Sequence, residues 1–200
     1  MLKVGPTHAR YLAAQRGGAS DYAGDLRRFT FAYNETLNLD FETLWFGLPE
    51  RISTLLDIGS GLGGIDIYLQ RHFGCAAHLL DGVNDSPDAT DYADGKSFNS
   101  EAVTRDFWAA NDARLTRYHN PAQLKPFRCD VILSLFSWCF HFPPVAYLEF
   151  VRACCHRDTV LITDVRKAKT DWLADLEKYF QQTLVLWRRE KFDRIAWRLK

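Results

Sequence analysis

The chain has 200 residues, 47% hydrophobic and 14% aromatic, enough to bury one substantial core, and a working size of roughly 150 residues per domain favours a single domain with embellishments. Lys plus Arg and Asp plus Glu both number 25, so no long-range field draws the whole molecule to nucleic acid or to an anionic membrane; a polyanion site would have to be a local patch. The cysteines Cys75, Cys129, Cys139, Cys154 and Cys155 are odd in number, form no CxxC pair and sit mostly in apolar runs, which points to a reduced, cytoplasmic protein.

In chain order, residues 1–50 come first. MLKVGPTHARYL has no apolar core of signal-peptide length, so no targeting segment is expected, and no later run reaches the roughly 20 apolar residues that span a bilayer. The stretch YAGDLRRFTFAYNETLNLDFETLWFGLPE is aromatic-rich and helical in propensity. It is read as an N-terminal helical cap packed over one edge of a sheet, not as an independent domain. Its aromatics, Tyr11, Tyr22, Phe31 and Tyr33, divide between packing and a substrate lid.

From residue 51 to 200, short apolar runs alternate with amphipathic stretches, the pattern of a mostly parallel sheet with crossover helices on both faces. The expected strands are Thr54 to Ile58, Ala76 to Leu80, Arg114 to Tyr118, Asp130 to Leu135 and Thr159 to Thr163. Between the first two, Ile65, Leu69 and Phe73 recur at helical spacing and Gly74 is placed to stop the helix. A second helix follows the capping candidates Asn99 and Ser100, with Glu101 in its first turn and Val103 and Phe107 on one side. A third is expected to open at Pro143 and Pro144, with Val145, Leu148 and Val151 as its apolar positions. A fourth is expected over about Asp171 to Gln181, carrying Trp172, Leu176 and Phe180. The runs Leu184 to Arg188 and Arg194 to Leu199 leave no room for a helix between them, so they form an antiparallel hairpin. The fold class is therefore α/β, with seven strands in one sheet.

The chemistry concentrates at LLDIGSGLGG, residues 55 to 64. A glycine loop after the first strand of an open parallel sheet lets a ligand reach the backbone and the amino end of the next helix. Gly59, Gly61 and Gly64 also fit the G-x-G-x-x-G spacing that cradles a dinucleotide pyrophosphate. Asp57 separates the two: a carboxylate repels a pyrophosphate and suits a cationic ligand, such as an amino-acid ammonium or a sulfonium.

D-I-G-S-G-L-G resembles the first motif, (D/E)-x-G-x-G-x-G, of the class I S-adenosylmethionine-dependent methyltransferases, and the alternating elements with a closing antiparallel hairpin extend the resemblance over most of the chain. It implies S-adenosylmethionine as cofactor, held by Asp57, Gly59, Ser60, Gly61, Gly63, Asp81, Gly82, Asn120 and Ser134. Asp81, ending the second strand in HLLDG, takes the place of the family's acid for the ribose hydroxyls. After the third strand, where the family often has an acid and an apolar residue for the adenine, this chain has His119 and Asn120. The acceptor would lie at the end of the fourth strand, against SLFSWCFHFPP. There His141 is the candidate general base, and Phe136, Trp138, Phe140 and, from the fifth strand, Asp164 are candidate substrate contacts.

Methylases of exocyclic amines carry a polar residue, Pro-Pro and an aromatic at this strand end, and hold the amine with the polar residue and a proline carbonyl. Phe142-Pro143-Pro144-Val145 fits neither flank. The expected reaction is methylation, preferably at oxygen, of a small hydroxylated, sugar-like acceptor, with no membrane partner. Two rivals stand beside it. One is a nucleic-acid or nucleotide methyltransferase using the basic run Arg188, Arg189, Lys191, Arg194, Arg198 and Lys200; the other is a non-catalytic S-adenosylmethionine-binding partner subunit. Cys154-Cys155-His156 lacks the partner pair of a zinc site, so no metal is expected.

Overall fold

The structure is a computed structural model that describes residues 1–15, 25–82 and 99–200; Tyr22 lies outside the described residues. Two N-terminal helices, α1 (Pro6–Gln15) and α2 (Leu26–Trp45), precede β1 (Thr54–Ile58), α3 (Gly64–Phe73) and β2 (Ala76–Leu80). Then come α4 (Glu101–Ala110), β3 (Leu115–His119), β4 (Val131–Ser134), α5 (Leu148–Cys154), β5 (Val160–Arg166), α6 (Thr170–Glu177), β6 (Phe180–Arg188) and β7 (Phe192–Leu199). The seven strands form one sheet in the order β3-β2-β1-β4-β5-β7-β6. β7 runs antiparallel to both β5 and β6, and all other pairings are parallel.

Strand periodicity sorts the core into two layers. Leu55, Leu79, Val131, Leu133 and Ile162 point to the side covered by α1 to α4 and meet Phe29, Tyr33, Leu37, Ile65, Leu69, Phe107 and Trp108. Leu56, Ile58, Leu80, Ile132, Leu161 and Trp197 point to the opposite side, where Leu148 and Val151 of α5 and Leu176 of α6 cover them. Burial of a Leu, Ile or Phe side chain contributes about 1.5–3 kcal/mol, so the stripe Phe29, Tyr33, Leu37, Leu44 accounts for α2 being helical where it is. α2 packs against α3 and against β6, the strand at one edge of the sheet, and its Asp40 reaches Arg194 of β7.

Local signals set the helix ends. Gly63 and Gly74 bracket α3 in left-handed conformation, and the Gly74 N–H closes on Gln70 O at 2.8 Å. Ser100 is the N-cap of α4 and Asp25 that of α2, its carboxylate accepting the Arg28 N–H at 2.9 Å.

Several boundaries differ from expectation: β3 is shifted by one residue to Leu115–His119, and the hairpin strands start earlier, at Phe180 and Phe192. The proline pair opens only a single 3₁₀ turn, Pro144–Ala146, and α5 begins at Leu148. α6 stops at Glu177 because Phe180 already pairs with Leu199 in the hairpin. β4 is shorter than Asp130 to Leu135, and the Asp130 carboxylate ahead of it accepts the Ser53 and Thr54 N–H groups at 2.7 and 2.9 Å. β5 runs on to Arg166 because β7 pairs with it that far.

One buried ionic cluster ties three elements. Arg194 of β7, fully buried, forks onto Asp164 of β5 at 2.8 and 3.0 Å and reaches Asp40 at 3.0 Å and Thr43 Oγ1 at 2.6 Å on α2. Asp164 and Arg194 are direct cross-strand partners in the antiparallel register. Removing the cation strands two buried carboxylates, a loss of about 3–5 kcal/mol. Arg194→Met is therefore expected to lower the thermal midpoint by about 10 °C or more, read by calorimetry; a midpoint within a degree of wild type would show that the cluster holds nothing together.

Candidate active site

The loop from β1 to α3 leaves the sheet at the carboxyl ends of the parallel strands. Gly59, Gly61 and Gly63 have φ of 74°, 56° and 73°, a region costly for any residue with a Cβ. Gly59 N–H donates to Leu80 O at 2.7 Å, Gly63 N–H to Ser60 O at 3.0 Å, and Trp108 Nε1 to Leu62 O at 3.0 Å. Asp81 Oδ2 accepts the Gly61 N–H at 2.8 Å while Oδ1 accepts the Gly82 N–H, also at 2.8 Å. Ser60 Oγ turns back on the Gly61 carbonyl at 3.4 Å. The predicted residues Gly59, Ser60, Gly61, Gly63, Asp81 and Gly82 thus come together at one strand end.

Three contributors had no sequence assignment to this loop. Asn99, buried ahead of α4, donates to the Gly61 carbonyl and, at 3.3 Å, to Asp81 Oδ2, and accepts from Ser100 N and Thr104 Oγ1. Its position before a helix cap was its only signal. Gln15 at the end of α1 lies over Gly61, and the Tyr33 hydroxyl of α2 lies against Gly64, each where a Cβ would collide. Tyr147 is close enough for the Asp81 charge to add to the burial that raises its phenol.

Asp57 is placed differently from the reading of an open carboxylate beside the ligand. It is 3% exposed and contacts Asp66 in the first turn of α3. Burial, then the Asp66 charge, push its carboxyl well above the usual range.

Asn120 and Ser134 are committed to local structure. Asn120 is exposed and accepts the Ala122 N–H at 2.9 Å, capping the turn Pro121–Gln123. Ser134 Oγ donates to Ile58 O and accepts the Trp138 N–H, both at 2.8 Å, fastening the loop after β4 to the end of β1. His119 is buried, bonds His78 at 3.0 Å and stacks on Phe127 with ring centres 5.0 Å apart. Burial takes it down to about 4, so it is neutral.

The segment 135–147 folds tightly on itself. Ser137 O accepts the N–H groups of Phe140, His141 and Phe142, and Phe136 and Cys139 take positive φ of 57° and 69°. Trp138 is not a substrate contact: it is fully buried and its Nε1 donates to Pro144 O at 2.9 Å. Asp164 is likewise spent on Arg194, and burial lifts its carboxyl above the usual range even beside that guanidinium. Phe136 and Phe140 do form a wall, in edge-to-face contact with Phe192 of β7 at 5.0 and 5.8 Å. Phe192 had no sequence assignment, since it lies between the two expected hairpin runs. His141 is exposed; partial burial, helped by Arg166, lowers its imidazole below the ordinary value, so it is neutral near pH 7.

No protein-family model matches this sequence, and neither does any curated protein. Solved structures do. The ribosomal protein L11 methylase of Lactobacillus delbrueckii subsp. bulgaricus superposes with a TM-score of 0.59 at 15% identity, over 83% of this chain and 79% of the methylase. The pyocyanin biosynthetic protein PhzM gives 0.62 at 14% identity, over 95% of this chain and 62% of that one. The N,N-8-amino-8-demethyl-D-riboflavin dimethyltransferase of Streptomyces davawensis gives 0.61 at 14% identity, over 98% and 60%. The chain has the methyltransferase fold. Among the described residues, no helix is long and apolar enough to cross a membrane, and no three His, Cys, Asp or Glu side chains gather as a metal site requires.

The loop after β4 is built against the glycine loop. A Cβ placed on Gly59 would lie 1.8 Å from Ser137 Oγ and 2.2 Å from Ser137 Cβ. Gly59→Ala is expected to lower the thermal midpoint by several degrees, and adding Ser137→Gly to recover part of that loss, the remainder being strain at φ 74°. Equal midpoints for the single and double variants would mean that the two loops are not in contact.

Proposed function

We propose that this protein is an S-adenosylmethionine-dependent methyltransferase acting on a small hydroxylated, sugar-like acceptor. The observation that carries the reading is the Asp81 clamp: an acid ending β2 is oriented by the N–H of Gly61 and of Gly82 beside a loop of left-handed glycines. The cofactor fits these residues. The loop bares backbone at the end of the sheet, and Asp81, with the Asp57–Asp66 pair beneath it, gives it the acidic surroundings that suit a cationic ligand. Gly59, Ser60, Gly61 and Gly63 would line the loop side of such a ligand, and Asp81 and Gly82 its ribose. When bound, the cofactor supplies an electrophilic methyl group on a sulfonium.

What the chain must then do is align the acceptor and accept its proton. Phe136 and Phe140 form an apolar wall for the acceptor's ring face. His141 takes the hydroxyl proton on its neutral imidazole. Oxygen is favoured over nitrogen because both proline carbonyls are engaged locally: Pro144 O accepts from Trp138 Nε1 and Tyr147 N, and Pro143 O from Ala146 N. The structural neighbours, by their names, act on a ribosomal protein and on a flavin amine, so the acceptor class rests on the residues here.

The nucleic-acid rival loses part of its patch. Arg194 is buried in its ion cluster, Arg198 donates to Asp158 O and the Lys200 ammonium to Glu177 O. Binding of a non-catalytic kind would give cofactor affinity without turnover.

The test is production of S-adenosylhomocysteine from S-adenosylmethionine across a panel of hydroxylated metabolites. With the base pushed below its ordinary value of 6.5, kcat/KM is expected to rise with pH on a limb lying below 6.5 and to be flat above it. His141→Gln should remove that limb and lower turnover about 10²–10⁴-fold while leaving S-adenosylhomocysteine affinity unchanged. Unaltered turnover in the variant would remove His141 from the mechanism. Cofactor binding with no turnover on any acceptor would favour the partner-subunit reading.

A further inference from the structure

Beneath the glycine loop is a pair of carboxyls that methyl transfer does not use. Asp57, next to last in β1, and Asp66, in the first turn of α3, are 3% and 0% exposed. Among the described residues, no donor makes a well-formed hydrogen bond to Asp57 Oδ1 or to either carboxyl oxygen of Asp66, whose own backbone N–H gives partial support to its ionised form. The two side chains lie within hydrogen-bonding reach of each other, and Asp57 also takes the Ile58 N–H. Two carboxylates in contact in a dry site cannot both ionise. A carboxylic O–H on one, donated to the other, is the remaining way to satisfy the pair.

The surroundings supply no counter-charge. Asp81 at the end of β2 adds negative charge. Cys75, ahead of β2, has its thiol driven up to about 11 by burial and by Asp66. α2 contributes the Tyr33 hydroxyl against Gly64, and α4 the indole of Trp108. No lysine, arginine or histidine bonds either carboxyl among the described residues. Burial carries Asp66 up to about 7, and Asp57 is raised by burial and by Asp66 together.

We propose that Asp57 and Asp66 hold one shared proton under the glycine loop and that a cationic ligand settling on the loop expels it, so that cofactor binding and proton release are a single event. This rests on the reading of the loop as an S-adenosylmethionine site. A positive charge near the pair favours its ionised form, and linkage makes the effect reciprocal: affinity rises as pH rises through the titration of the pair. The proton leaves to solvent, and no bond is made or broken besides its own.

The experiment is titration calorimetry at about pH 6.5, below the ordinary α-amino value of about 8, so that the ligand's ammonium stays charged. Binding of S-adenosylmethionine is measured in buffers of different ionisation enthalpy, with uncharged methylthioadenosine as control. The wild-type enthalpy is expected to vary with buffer at a slope of about half to one proton released. Methylthioadenosine should give no slope, and Asp66→Asn should bind S-adenosylmethionine with none. A buffer-independent wild-type enthalpy, or an unchanged slope in Asp66→Asn, overturns the proposal. The infrared carbonyl stretch of a protonated carboxyl in the ligand-free protein at neutral pH, lost in Asp66→Asn, reads the shared proton by itself. That band with no binding of either ligand would overturn the cofactor reading and the linkage while keeping the shared proton; binding without the band would overturn the shared proton and the linkage while keeping the cofactor reading.

Discussion

The structure depends on the short crossover from β1 to α3. Three of its five residues, Gly59, Gly61 and Gly63, are in left-handed conformation, which would cost roughly 1–2 kcal/mol at each for a residue with a Cβ. The Gly59 and Gly61 N–H groups extend the β1–β2 contact past the strand ends, through Leu80 O and the Asp81 carboxylate. Neighbouring elements at the carboxyl end of the sheet are packed against this turn. Asn99 holds it to α4, Trp108 to the helical layer, Ser134 ties β4 to its base, and Ser137 fills the space that the missing side chain of Gly59 leaves.

The strands were legible because each is a short apolar run that a parallel sheet buries on both faces; β1 and β2 fall on the expected residues. The misread boundaries share a cause, namely tertiary pairing that overrides local preference. Phe180 has helical spacing with Trp172 and Leu176 yet pairs with Leu199, and a Pro-Pro start yields one 3₁₀ turn because Trp138 Nε1 occupies Pro144 O. The buried stripe Phe29, Tyr33, Leu37, Leu44 of α2 also carries Asp40. What hid its placement was Asp40, a charge on an apolar stripe, whose partner Arg194 lies far along the chain.

The same limit governed the site. The meeting of Gly59, Gly61, Gly63, Asp81 and Gly82 was readable because they belong to one contiguous loop and the end of the next strand. Asp164 and Trp138 were misassigned because their partners, Arg194 and Pro144, are known only once register and loop conformation are known. Asp57 was the residue that pointed to a cationic ligand, and its role is now shared. Asp57 lies in contact with Asp66 and near Asp81, so the carboxyls at this strand end raise one another and do not act as independent charges.

The most direct test of this account is a crystal structure with S-adenosylhomocysteine. The account predicts the ribose hydroxyls on Asp81, the ligand ammonium on the side of the loop nearest Asp57, and the thioether sulfur facing residues 134–144 with His141 on the acceptor side. A ligand seated elsewhere, or a sulfur turned away from that loop, would contradict it.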